Sequence, residues 1–293
     1  MKKAFLQLHA AVFLWGFTGV LGRLITLNET ALVWYRLAFT TVSLWVLFYF
    51  FLKIKKLPWR SVFYIAFIGT IQALHWVCFY GSIKYANVTI ALTCLATSAL
   101  ISSLLEPLVL KKKFDPLEIL LGFFAIAGII IIYNSHLNFS TGIIIGLLSA
   151  LLTVIVSVLN KKMIDRYEPA SITLYQLTGG FAGLSLLLPF FYYFYDVPLT
   201  YPSSMDWLWL IVLSWVCTIF TFFLYINSLK KISAFTMNLT LTLEPVYGII
   251  LAFFIFKENE HLNNWFYLGF GLISFAVAIH MWRLLRPVNK ISE

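Results

Sequence analysis

Charge is scarce in this chain. Asp, Glu, Lys and Arg make up 11% of its 293 residues, against 61% hydrophobic ones, where a soluble domain carries about 25% charge. A water-soluble core has no room for that much apolar surface, so the surrounding solvent is expected to be lipid. Cysteine is also scarce. Cys78, Cys94 and Cys217 all fall within apolar runs, are odd in number and lack metal-ligand spacing, which argues against a disulfide framework and a metal site. Signature motifs are missing too. There is no H-E-x-x-H, G-x-S-x-G, P-loop or H-x-x-x-x-D, so neither an enzyme nor ATP coupling is expected, and no cofactor is implied. The net charge of +9 does not point to nucleic acid, because the basic residues sit in short clusters between apolar runs, the way membrane proteins set orientation.

What the chain has in abundance is apolar runs. About 20 such residues cross a bilayer as a helix. Ten runs qualify: 4–25, 31–52, 61–83, 88–110, 116–134, 141–160, 170–195, 206–228, 234–256 and 262–284. The uncharged stretch from Ile119 to Asn160 is split by the polar turn Asn134-Ser135-His136-Leu137-Asn138. Lys2-Lys3 before the first run resembles a signal peptide, but no small-x-small cleavage site follows, so a retained helix is expected. All connections are short and leave no room for a soluble domain.

Lysine and arginine set the orientation. With a cytoplasmic N-terminus, the inner loops hold the clusters around Lys53 to Arg60, Lys111 to Lys113, Lys161 to Arg166, Lys230-Lys231 and Arg283 to Lys290. The outer loops keep Arg23, Lys84 and Lys257. So lopsided a bias predicts both termini inside, at the cell inner membrane, with an even number of spans.

The halves repeat. Ser82-Ile83-Lys84 matches Ser228-Leu229-Lys230 at an offset of 146, and Tyr35-Arg36 meets Tyr175-Gln176 at an offset of 140. Spans one to five therefore correspond to spans six to ten, giving repeats at 1–138 and 139–293. Because five is odd, the second copy is expected upside down, an architecture recurrent in secondary transporters. The predicted fold class is an all-α membrane protein of ten transmembrane helices in two inverted five-helix repeats.

Polar groups within lipid need a partner or a wet cavity. Gln72, His75, Phe79 and Ser82 share one helical face, and Thr218, Thr221, Tyr225 and Ser228 repeat that spacing in the eighth span. Either the two stripes wall a central cavity, or they bond neighbouring helices. Trp76 and Tyr80 flank the first stripe and, with Trp15 in the first span, either offer substrate an aromatic surface or anchor the chain at the membrane interface. Thr89, Thr93, Thr97 and Ile101 share a face that either lines the lumen or bonds back to i−4 carbonyls. Arg36, inside the second span, either snorkels or binds an anionic group. Glu106 either pairs near Lys111 or serves as a charge site. Glu244, followed by Pro245, is either a protonation site or a structural acid bonded to a neighbour. Gly142-x-x-x-Gly146, Gly179-x-x-x-Gly183, Gly269 and Gly271 favour close packing within a monomer over dimerisation.

This pattern resembles the drug/metabolite transporter superfamily, in its EamA-type branch. The letters that carry the resemblance are Trp15-Gly16, Tyr35-Arg36, the junction from Ser82 to Val88, its counterpart from Ser228 to Ala234, and Glu244-Pro245. The resemblance implies a cavity walled by spans 1, 3, 4, 6, 8 and 9, alternating access by rocking halves, and substrates such as amino acids and related metabolites, often exported. It implies Trp15, Gln72, His75, Trp76, Tyr80, Tyr225, Asn238 and Glu244 as lining. The chain departs from the family pattern at Thr97-Ser98-Ala99, where a proline is common, and at Lys111-Lys112, near a family glutamate.

The expected function is a secondary transporter of a small polar solute. A receptor or scaffold would be expected to carry a soluble output segment. An enzyme acting on lipid-linked substrates would need an acid–base or nucleophile constellation. Neither feature is found in the sequence.

Overall fold

The computed structural model describes residues 2–51, 56–110, 116–164, 166–195, 198–229, 240–241 and 243–285. All regular structure among them is helical. In chain order the helices are α1 (Lys2–Leu24), α2 (Glu29–Phe51), α3 (Trp59–Tyr85), α4 (Val88–Ala96), α5 (Ser98–Leu110), α6 (Pro116–Ser135), α7 (Ser140–Ile164), α8 (Pro169–Tyr195), α9 (Ser204–Ile211), α10 (Thr221–Leu229), α11 (Glu244–Phe256) and α12 (Asn264–Leu285). A π-helical segment, Val212–Phe220, joins α9 to α10 without a break. Short 3-10 turns, Leu137–Phe139 and Glu258–His261, precede α7 and α12.

Seven helical stretches are long and apolar enough to cross a membrane, and 119–135, 244–256 and 264–280 are shorter apolar helices. Helices satisfy every backbone group internally, which is what a lipid solvent demands. The bundle's outer surface is correspondingly greasy: Phe63 is 73%, Leu186 81% and Phe254 83% exposed.

Local signals fix the helix ends. Proline opens α6 and α8, where its missing N–H is no loss. The Asn87 side chain caps α4 by accepting from Ile90 N at 2.8 Å. Ser203 and Asp206 form a reciprocal capping box at the start of α9. Lys257 adopts a left-handed conformation, φ 51°, that ends α11 and turns the chain back toward the bundle.

Two expected spans are interrupted. The run 88–110 breaks at Thr97, whose N–H bonds to Cys94 O at 3.1 Å, and Ile101 N then returns to Thr97 O at 3.0 Å. In the ninth span Leu243 N bonds to Thr240 O at 3.1 Å and Tyr247 N to Leu243 O at 2.9 Å. Each residue of the second set stands 146 positions after its counterpart in the first. The first break forms without a proline, through the Thr97 hydroxyl, which donates to Cys94 O at 2.6 Å. The second precedes Pro245, which has no N–H to give.

Packing pairs helices across the halves. α3 packs against α7 and α8, while α1 packs against α10, the π segment and α11. α4 and α5 pack on α7, α2 on α8, α6 on α12, and α4 on α11. The α6–α12 crossing is antiparallel and reciprocal. A Cβ on Gly128 would meet Gly269 O at 2.6 Å and then Ile273. One on Gly269 would meet Gly128 O at 2.5 Å and then Ile132. Only glycine permits that approach. The other glycines singled out in the sequence also face inward, Gly142 and Gly146 toward Ser82 and Gly179 and Gly183 toward Ala66 and Thr70, all on α3. Gly271 is the exception and meets nothing within 4 Å.

Candidate functional site

Arg36 organises the polar interior. It lies two turns into α2, about 10 Å along the axis, and is only 4% exposed. Nη1 donates to Tyr80 Oη at 2.9 Å, while Nε and Nη2 donate to Thr218 Oγ1 at 3.3 and 3.0 Å. The guanidinium carbon stands 3.9 Å from the centroid of the Trp76 ring, a cation–π contact worth about 2 kcal/mol when desolvated.

The π segment turns threonine hydroxyls into acceptors. Thr218 Oγ1 donates its own proton to Leu213 O at 2.8 Å, which leaves its lone pairs facing Arg36. Thr221 Oγ1 donates within its own helix, to Cys217 O at 2.9 Å, and accepts Trp15 Nε1 at 3.1 Å. Trp15 also packs on Tyr225, ring centroids 5.5 Å apart. A π turn widens the helix and re-aims side chains, and such turns recur at functional sites.

Around this cluster stand side chains with unused bonding capacity. Gln72, one turn from Trp76 on the same face of α3, is half-buried and makes no hydrogen bond within the described protein. Glu244 opens α11, is half-buried, and feels the Arg36 charge without forming a salt bridge or side-chain hydrogen bond among the described residues. Tyr80 fits because Gly22 leaves space for its ring, which a Cβ would overlap at 2.4 Å.

The structure separates the first stripe from the aromatics beside it: Trp76 and Tyr80 meet Arg36, but His75 and Ser82 turn to α7. His75 Nδ1 donates to Ser149 O at 2.9 Å, and Ser149 Oγ returns a bond to His75 O at 3.2 Å. Ser82 Oγ donates to Gly142 O at 2.7 Å. The eighth-span stripe stays together along α1 and α2, ending with Ser228 Oγ donating to Ala4 O at 2.9 Å. Thr93 is 1% exposed and bonds back to Thr89 O at 2.8 Å. Asn238 and the side chain of Glu106 lie outside the described residues. Arg36 does not snorkel, since its charged end points into the bundle.

A second polar cluster closes the end of the bundle where α1 meets α2. The buried Glu258 carboxylate pairs with Arg23 and accepts from Val88 N at 3.1 Å, Thr89 N at 2.8 Å and Thr89 Oγ1 at 2.6 Å. Asp206 accepts from both Thr26 N and Thr26 Oγ1 at 2.7 Å. Lys84 Nζ donates to Ile25 O. The sequence reading missed Glu258 and Asp206. Ser203-x-x-Asp206 was visible as a capping pattern, whereas nothing local marks Glu258.

The EamA-like transporter family matches residues 2–134 and again 140–280. The chain belongs to this family. The two EamA matches fall on either side of the turn at 135–139. A curated relative, an uncharacterized transporter of Archaeoglobus fulgidus, is 30% identical over 156 residues, covering 53% of this chain and 53% of that protein. The chain thus spans about half the length of that relative in the match. A solved crystal structure superposes with a TM-score of 0.60 at 15% identity, covering 98% of this chain and 99% of the other, and so shares its fold. As a member of the EamA-like transporter family with seven helices long and apolar enough to cross a membrane, the chain is a multi-pass membrane protein.

Proposed function

We propose that this EamA-like protein is a secondary carrier that exports amino acids or related small polar metabolites by alternating access through a central cavity. It spans the cell inner membrane ten times as a monomer, with both termini cytoplasmic. Residues 1–138 and 139–293 form two mutually inverted five-helix repeats.

Inversion is supported by the α6–α12 crossing. Gly128 faces Ile273 while Gly269 faces Ile132, so an axis that exchanges the halves exchanges antiparallel helices. Such an axis is perpendicular to the helices and lies in the membrane plane. The paired breaks at Thr97 and Leu243 and the paired serine bonds, Ser82 to Gly142 and Ser228 to Ala4, obey the same exchange. Interrupted helices near the midplane form the binding sites of many secondary carriers.

Transport itself rests on one observation. Among the described residues, Gln72 and Glu244 keep polar atoms without hydrogen-bond partners beside the Arg36, Trp76, Thr218 and Trp15 cluster. Polar groups left so in lipid cost several kcal/mol each, and a water-filled passage that admits solute removes the cost. Substrate would sit among Trp15, Gln72, Trp76, Tyr80, Thr218, Thr221, Tyr225 and Asn238, with Glu244 and Arg36 supplying charge.

Reconstitution into liposomes tests the function. Vesicles preloaded with a mixed metabolite pool are expected to release one solute class faster than protein-free vesicles. Equal release of every solute would rule out a carrier. Cysteine labelling from either side tests the topology, and a Ser135 label reached from the cytoplasm would refute it.

A further inference from the structure

Arg36 carries a charge that its surroundings do not balance. A guanidinium stays protonated in proteins and offers five N–H donors. Three of them go to the neutral oxygens of Thr218 and Tyr80, which leaves one N–H on each terminal nitrogen. The Glu258 carboxylate is paired with Arg23 and not with Arg36. Glu244 is within electrostatic reach but bonds to neither nitrogen.

Moving such an ion out of water carries a large desolvation penalty. The Trp76 face and two hydroxyl oxygens offset part of it. A residue kept only to tie α2 to α3 and the π segment would do so at lower cost as a packed apolar side chain. The cation, held by its neighbours with donors to spare, suits an anion that arrives and leaves.

We propose that Arg36 is the specificity-determining residue of the carrier and binds a carboxylate on the transported solute. The carboxylate takes the two remaining N–H donors and supplies the missing counter-charge, in a charge-assisted contact of the stronger kind. Thr218 and Tyr80 fix the plane of the guanidinium, and Trp76 covers one face, so the anion approaches by the edge. Solutes without an anionic group leave the cation unbalanced and are rejected. This role presupposes the carrier reading above.

Two assays on the purified full-length protein separate the two claims. The probes are the proteinogenic amino acids and short mono- and dicarboxylates, each beside its amide. Thermal unfolding in detergent reports binding, and counterflow in liposomes reports movement. At least one acid is expected to bind and cross, with its amide about 10- to 100-fold weaker. Arg36→Gln is expected to remove that preference. Arg36→Lys is expected to restore part of it, since the charge returns without the planar fork.

Equal handling of acid and amide by the wild type overturns the role of Arg36 and leaves the carrier standing. Acid binding without movement sinks the carrier and leaves Arg36 its anion. Absence of both binding and movement across all probes overturns both. The wild-type comparison stands even where Arg36→Gln fails to fold, which its ligand-free unfolding midpoint reports.

Discussion

The Glu258 carboxylate takes both hydrogen-bond donors of Thr89, the backbone N–H at 2.8 Å and the hydroxyl at 2.6 Å. The two residues are 169 positions apart. A carboxylate from the second half thus caps the first turn of α4 in the first half, where the free N–H groups and the helix dipole favour negative charge. Arg23 at the end of α1 adds its cation to the same oxygen that accepts Val88 N. Together with Asp206 on Thr26, the contact closes the end of the bundle where α1 meets α2.

Glu258→Gln is therefore expected to lower stability by about 2 kcal/mol, the scale of a hydrogen bond to a charged group. Arg23→Ala is expected to cost less, because Arg23 is 40% exposed and solvent screens its share. Thermal unfolding of the purified variants decides this. A Glu258→Gln protein as stable as wild type would show that the cap is incidental.

The serine bonds that tie each third-position helix to the first helix of the other repeat should have equal weight. Ser82→Ala and Ser228→Ala are each expected to cost about 0.6 kcal/mol, typical of interhelical bonds in membranes. The double variant is expected to show the sum, because separate sites add. Unfolding in graded denaturing detergent measures all three. A cost confined to one serine would break the equivalence of the repeats.

The glycines differ in role despite similar spacing. Gly128→Leu and Gly269→Leu are each expected to destabilise by about 1–3 kcal/mol through overpacking, since even a Cβ comes within 2.6 Å of a carbonyl oxygen across the α6–α12 contact. Gly271→Ala is expected to be harmless or mildly stabilising in a helix interior. Thermal midpoints of the three variants compared side by side test this, and a loss at Gly271 matching the other two would refute it.

The split on α3 between His75 and the aromatic face beside it yields a functional contrast. His75→Ala removes the Nδ1 donor to the buried Ser149 O while the Ser149 Oγ bond to the backbone O at position 75 stays, and is expected to lower stability by about 1–3 kcal/mol, with little change in apparent KM. Trp76→Ala removes the face beneath Arg36 and is expected to raise KM about 10-fold or more. Counterflow kinetics read beside unfolding midpoints separate the two outcomes. A KM effect at His75 equal to that at Trp76 would put His75 back in the cavity.

Much of this was legible in the sequence because lipid imposes a strong and local rule. Each apolar run must close its own backbone bonds, so helices appear wherever such a run is long enough. The Ser82 and Ser228 match carried the repeat, and the serines do make equivalent bonds. The stripes were less legible, because a helical wheel assumes a straight 3.6-residue helix. The π segment at 212–220 and the breaks at Thr97 and Leu243 violate that assumption. Thr93 illustrates the ambiguity: its hydroxyl goes back to its own helix, an outcome no spacing distinguishes from lining a lumen.

By itself the sequence determined the solvent, the helical class, the order of the helices and the charge asymmetry, since each follows from what neighbouring residues do in hydrocarbon. Only the tertiary structure decided that Arg36 points inward onto Trp76 instead of out to the interface, that His75 faces α7, and that Glu258 reaches α4. Those outcomes depend on which helix lies across each face, and that is set by packing between segments distant in the chain.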